Sequence, residues 1–463
     1  MLHTYSLVHT MVRNACRPVT VTAVAFAVLL LVGHTEGAAV RLLTTVPVPV
    51  SSTNTTGGMY SFDISWVDRT TGTYYLADRS NKAVDVVVAE TFFTQLTGGF
   101  AGFTPCAVHP AGANDCAGPN GVATSANCLF VTDAPSRVVS FDKATLTLVN
   151  DVQTDPTDPT RADELGVDPR DALILAINNA STPPFGTLIK FDATTCTLTA
   201  PDPTTDRIIF DEAHGVDATN GAEQPVWDPG TQKFYLSIPE IGGNPPGMNL
   251  HGAVLRIAPT GEVEAQYGVD FCGPAGLAVG PNEQLLVGCN TIFDELGNKW
   301  TTNVDREVNT AAPQYVIIDA VTGHSLANVL GAGVGDEVWF NRGDNHYYTA
   351  ASGSNLAPNA ITPARSPNGT ATTAPVLTAQ GAATLDVIDA FSKTLDQRVP
   401  TLNVPPVLAS SGDLHPHPAG TAHSVAADGV TANVFVPIGA NNAVPNCLTG
   451  CITIYGRYDP DQD

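Results

Sequence analysis

The chain has 463 residues, including 41 Gly and 35 Pro, and only 14% are charged; this balance argues against a helical protein and for a turn-rich all-β one, while 43% hydrophobic residues argue against disorder. Lys and Arg number 21 against 45 Asp and Glu, a formal charge of -24. Such a surface repels phosphate backbones, so nucleic acid is not expected as a partner; it keeps an exported protein soluble and favours cations.

The chain opens on a targeting segment. Arg13 and Arg17 precede an apolar run from Val19 to Val32, and the small residues Gly37, Ala38 and Ala39 follow. That is the order of a secretory signal over residues 1–39, with cleavage after Gly37, Ala38 or Ala39. The run is short for a membrane span, an uncleaved anchor being the alternative, and nothing later in the sequence could span once the signal is removed. Residues 40–463 read as one domain with long loop insertions.

Val40 to Val50 reads as an extended strand that its prolines demote to a sheet edge. The stretch Phe62 to Val88 then holds three short strands separated by polar turns: Ile64–Val67, Tyr74–Ala77 and Ala83–Val87. This unit recurs at Val122, Leu165, Val226, Leu277, Val338 and Val425, a mean spacing of about 60 residues. Seven such units predict a β-propeller of seven four-stranded blades, six being the alternative, with the strand near 40–50 completing the last blade and closing the ring. Trp66, Trp227 and Trp339 fall at matched strand positions, as inter-blade core. Pro/Gly-rich insertions occupy 100–118, 240–251, 290–312, 351–382 and 400–421.

Cysteine usage agrees with export. Of nine Cys, Cys16 lies in the signal, and eight remain, an even number that reads as disulfides. Local pairing predicts Cys106–Cys116, Cys272–Cys289 and Cys447–Cys451, leaving Cys128–Cys196, each worth about 2–4 kcal/mol if unstrained. Asn54, Asn179 and Asn368 open N-glycosylation sequons, so the chain is a candidate glycoprotein.

The blocks GPNGVATSANCLFVTD and HSVAADGVTANVFVP resemble NHL, YVTN and SMP-30/gluconolactonase-type propellers. With EQPVWDP, DEVWFN and a Cys-containing last strand, the set is also similar to secreted propellers of unassigned function. The resemblance covers nearly all of residues 40–463 and implies fold more than function. Its gluconolactonase branch implies a divalent ion held by a Glu, an Asn and an Asp, and lactone hydrolysis. Asn120 in Pro119-Asn120-Gly121 matches part of that pattern, and Asp63 stands where the Glu would be.

In a propeller the first residues of each inner strand line the channel mouth. Here they are Asp63, Asn120, Asp163 or Glu164, Glu223 or Gln224, Pro274, Asp336 or Glu337, and His423. These donors suit Ca²⁺ or Mg²⁺, or Zn²⁺ or Fe if His423 takes part. Carboxylates crowded about one axis repel unless protons or a cation intervene. The expected metal set is therefore Asp63, Asn120, Glu164, Glu223, Asp336, Glu337 and His423, with Glu164, Asp336 or His423 as base in metal-assisted hydrolysis of a small ester or lactone. A hydrated polar channel is the alternative; a non-catalytic extracellular module, monomeric and binding a protein, glycan or small molecule through its loops, is the rival function. His415 and His417 sit in a Pro-rich insertion that could fold over the mouth. Gly323-His324-Ser325-Leu326-Ala327 approximates a nucleophile elbow but lacks its final Gly and reads as a turn, and His214 and His251 read as idle loop histidines.

Overall fold

A computed structural model describes residues 39–104, 106, 114–219, 221–242, 251–293, 314–333, 335–351, 384–401, 423–441 and 444–457. The signal segment, Asn368, and His415 and His417 lie outside them.

The described strands form seven antiparallel sheets of four. Blade 1 is Ser65–Val67, Tyr74–Asp78, Ala83–Val88 and Phe92–Thr97; blade 2 is Val122–Ser125, Cys128–Asp133, Arg137–Asp142 and Thr147–Gln153. Blade 3 is Leu165–Asp168, Leu173–Asn178, Phe185–Lys190 and Arg207–Ile209; blade 4 is Pro225–Asp228, Lys233–Ile238, His251–Ile257 and Val263–Asp270. Blade 5 is Cys272–Val279, Gln284–Ile292, Gln314–Asp319 and Ser325–Leu330; blade 6 is Gly335–Asn341, His346–Ala351, Thr384–Asp389 and Thr394–Pro400. Blade 7 is Ala426–Ala427, Val434–Ile438 and Cys451–Arg457, completed by Val40–Pro47 in register from Val40 opposite Arg457 to Pro47 opposite Cys451. Each first strand neighbours the first strands of the blades before and after it, and the cycle closes between blades 7 and 1. The seven-bladed propeller with its N-terminal closing strand is therefore what the chain forms.

The strands follow from their residues. Second strands such as Tyr74–Asp78 and Leu173–Asn178 are apolar runs buried along their whole length, because both faces meet another blade. Outer strands such as Thr147–Gln153 are polar and largely open. Most blade turns carry the same device. An Asp or Asn ending a strand accepts the backbone N–H groups two and three residues on, as Asp68 does from Thr70 and Thr71, and Asp389 from Phe391 and Ser392. The core lies between blades: Tyr74 of blade 1 stacks on Phe435 of blade 7 at 4.9 Å between ring centroids, and each buried side chain of this size contributes about 1.5–3 kcal/mol.

All four disulfides pair as expected: Cys106–Cys116, Cys128–Cys196, Cys272–Cys289 and Cys447–Cys451. They place the folded chain in an oxidising environment. Among the described residues no helix is long and apolar enough to cross a membrane. Three sequence expectations need correction. The tryptophans are only half-buried: Trp66 and Trp339 meet edge to face at 5.0 Å, and Trp227 packs on Phe234. The first strand of blade 5 begins at Cys272, so Pro274 lies within it. His251 opens a strand and its Nδ1 lies 3.0 Å from Asp270.

Candidate functional site

The backbone brings the opening residues of the blades to one level. The amides of Asp63, Asn120, Asp163 and Glu223 each donate to the second strand of their own blade, at the carbonyls of Ala77, Thr132, Ile177 and Ser237 (2.7–2.9 Å). Register in blades 6 and 7 gives Asp336 and His423 the same place, and blade 5 contributes apolar Pro274 and Ala275. One residue further along come Glu164, Gln224 and Glu337; the Gln224 side-chain oxygen accepts the Leu277 amide at 2.6 Å, tying blade 4 to blade 5. The predicted residues thus share one end of the channel.

Two arginines that the reading of strand openings did not include reach into this ring. Arg79 follows the second strand of blade 1 and is 3% exposed. Its Nε donates to Asn120 Oδ1 at 2.8 Å, a terminal nitrogen donates to Asp63, and the same nitrogen lies 3.8 Å from Asp163. Arg161 lies just before the opening of blade 3 and meets Asp163 at 2.7 Å. Asn120 is held from both ends, since its Nδ2 donates to the carbonyls of Ala117 and Ala162, both at 3.0 Å. The one sequence cue was the rarity of basic residues, which makes Arg161-Ala162-Asp163-Glu164 conspicuous.

His423 links the two sides. Its Nε2 is 3.0 Å from Asp63 and its Nδ1 is 3.4 Å from Asp336. Burial pushes its pKa down, but the Asp63 hydrogen bond and the Asp336 charge outweigh that and raise it above its usual value. Burial pushes Asp63 up, but Arg79 and His423 together hold it down to about 2. Asp63 is therefore ionised across the ordinary pH range.

The other carboxyls go the opposite way. Burial lifts Asp163 to about 6, with Arg161 pulling against it and Asp63 adding to it. Burial, reinforced by Glu337 and Glu223, pushes Glu164 well up; burial with Asp163 and Asp336 does so for Glu223, and burial with Asp336 for Glu337. Asp336 is also raised by burial, against the attraction of His423. Six carboxyls thus face two guanidiniums and one imidazole. Asp163 Oδ1 and Glu164 Oε2 are buried with no hydrogen-bond partner. A cavity of about 90 Å³ opens beside Glu223 and Asn290, and Asn290 donates to Asp336 at 3.3 Å. Two more open grooves of about 440 and 460 Å³ lie near Arg207 and Asn179 and hold none of the ring acids; Asp155 and Asp158 line the first, and Asp115, Asp211 and Asp217 the second.

Asp63 and Asn120, implied for a metal, fit it poorly in this arrangement. Arg79 stands between Asp63 and Asn120 and takes the oxygens an ion would use. Among the described residues no group of three or more His, Cys, Asp or Glu side chains is spaced to hold an ion. Of the three expected bases, Glu164 is buried, His423 is engaged by Asp63 and Asp336, and Asp336, 29% exposed in its side chain, is the one placed to exchange a proton with a ligand. Ser325 begins an outer strand beyond a Thr-Gly turn, and His214 pairs with Asp211. The nitrogen of Asn54 that a glycan would need donates to Gly58 and Asn81. No family model matches the chain, and no curated protein matches it.

Proposed function

We propose that the channel mouth binds a ligand through a cationic group, a divalent ion or the ammonium of a small molecule, which supplies the positive charge that Glu164, Glu223 and Glu337 lack. The carboxyl surplus carries this reading, above all the buried oxygen of Glu164 that has no hydrogen-bond partner. Arg79 and Arg161 neutralise the blade 1–3 side of the ring, which leaves the blade 3, 4 and 6 glutamates as the receiving side. The 90 Å³ cavity beside Glu223 gives room for one small headgroup. The test is calorimetric titration of the purified protein with Ca²⁺, Zn²⁺ and n-butylammonium at pH 7.5. One cation per chain should bind, and at a hundred times its Kd should stabilise the fold by about 2.7 kcal/mol. A Glu164→Gln/Glu223→Gln variant should lose that binding. No binding by any of the three, with the double variant simply more stable than the wild type, would mean that protons alone balance the ring.

A hydrolytic role for the same site rests on Asp336. It is partly exposed, lifted by burial, and aligned by His423 and Asn290, as a carboxyl that takes a proton from water and returns it to a leaving alkoxide must be. The likeness to gluconolactonase-type propellers makes small esters and lactones the substrates to screen. Asp336→Asn should then abolish turnover while cation binding persists. The rival, a binding module without catalysis, predicts no turnover in either protein.

A further inference from the structure

The opposite end of the channel carries two exposed arginines. Each first strand runs away from the mouth and ends in a turn; in blade 1 that turn begins Asp68-Arg69, and in blade 6 Asn341-Arg342. Blade 7 lies between them with the shortest first strand among the described ones, Ala426–Ala427. Its small residues let the flanking blades close in. A Cβ on Gly343 would meet the Gly429 carbonyl at 2.5 Å, and one on Gly72, whose φ is +67, would meet Asp428 Oδ2 at 2.9 Å. The edge-to-face contact of Trp66 with Trp339 fixes the two strands just behind the turns.

Arg69 and Arg342 each stand three residues beyond a tryptophan of that contact, both exposed and neither with a hydrogen bond or ion pair to a described residue. The crowding of surrounding protein, with the Arg342 charge beside it, lowers Arg69 to about 10. Nearby acids do not relieve this. Asp68 is taken by Lys143 at 2.6 Å and by its own turn, and Asp428 by Val430 and Thr431. Asp344, two residues beyond Arg342, is taken by Tyr348, His346 and Arg457. In a chain with more than twice as many acidic as basic side chains, two adjacent unpaired guanidiniums stand out.

We infer that Arg69 and Arg342 form an oxyanion site at the far end of the channel, taking a phosphate, sulfate or carboxylate group between their two planar forks. Guanidinium suits this class because its parallel N–H groups match two oxygens of one anion, and a dianion relieves the repulsion between the two arginines. The reading is independent of the cation site at the mouth.

The test is titration with inorganic phosphate, sulfate and acetate at pH 7.5 and fixed ionic strength, against chloride, followed by calorimetry and by tryptophan fluorescence. One phosphate per chain should bind saturably, with sulfate competing; acetate binding as tightly would identify a carboxylate site of the same kind. Arg69→Gln and Arg342→Gln should each weaken binding about tenfold or more, and Arg342→Lys less than Arg342→Gln. Lys190→Gln, on an outer blade surface, should change nothing. Because the pair is repulsive, neither Gln variant should melt below the wild type without anion, so a loss of binding cannot be laid to unfolding. Phosphate heats no larger than those of chloride, or binding retained in Arg69→Gln/Arg342→Gln, would overturn the site.

Discussion

Arg79 spans three blades with one side chain, joining Asp63 of blade 1, Asn120 of blade 2 and Asp163 of blade 3. Removing it leaves Asp63 buried beside His423 alone, whose one hydrogen bond cannot replace the two that Arg79 makes to Asp63 and Asn120. Arg79→Met should therefore cost about 3–5 kcal/mol by denaturant unfolding, and Arg79→Met/Asp63→Asn should recover much of that, since it removes the orphaned charge as well. Equal destabilisation in the single and double variants would show that Arg79 acts through packing. The acids of the mouth could be read from the sequence because strand openings recur with the blade period. The arginines could not. Arg79 follows the mouth-side end of the second strand of blade 1, where nothing local separates a channel arginine from a solvated one.

At the scale of the element, closure depends on Val40–Pro47. Its Val40 and Val46 are buried, and it pairs with Cys451–Arg457 along seven residues, with Val48 extending the contact to Gly450. Without it, Cys451–Arg457 becomes an open edge between blades 6 and 1. A protein truncated to begin at Ser51 should melt well below one beginning at Val40 and should associate, as read by light scattering at micromolar concentration. An unchanged melting temperature and a monodisperse monomer would mean that closure rests on side-chain packing alone. Second strands were legible as unbroken apolar runs, and so was the closing strand, because Pro47 and Pro49 mark an edge. Outer strands such as Thr394–Pro400 were not, since their half-open, polar faces look like loop. The Asp-x-x-Thr turns, by contrast, repeat visibly at Asp68, Asp142, Asp228, Asp319 and Asp428 and explain why the blade period survives long insertions.

Across the whole molecule buried carboxyls gather at the mouth, with tryptophans at the waist and the exposed Arg69 and Arg342 beyond. Buried carboxyls tie stability to pH. Carboxyls raised in the fold, Asp163 and Asp78 to about 6 and Asp386 to about 7, add stability that is complete below their unfolded value and lost as pH rises through those values. Asp63, lowered to about 2, adds stability above its unfolded value that is lost as pH falls through 2. The fold should therefore be most stable near about pH 4–5 and weaken toward pH 8. A cation in the mouth would remove the part of that weakening that belongs to the ring and leave the part due to Asp78 and Asp386, which lie elsewhere. The most direct measurement is the melting temperature from pH 4 to 8, with and without millimolar Ca²⁺ and, separately, n-butylammonium. A rise on cation addition at pH 7.5 that vanishes at pH 4.5, and is absent in Glu164→Gln/Glu223→Gln, is the expected result. The same profile with and without either cation would contradict a cation-binding mouth.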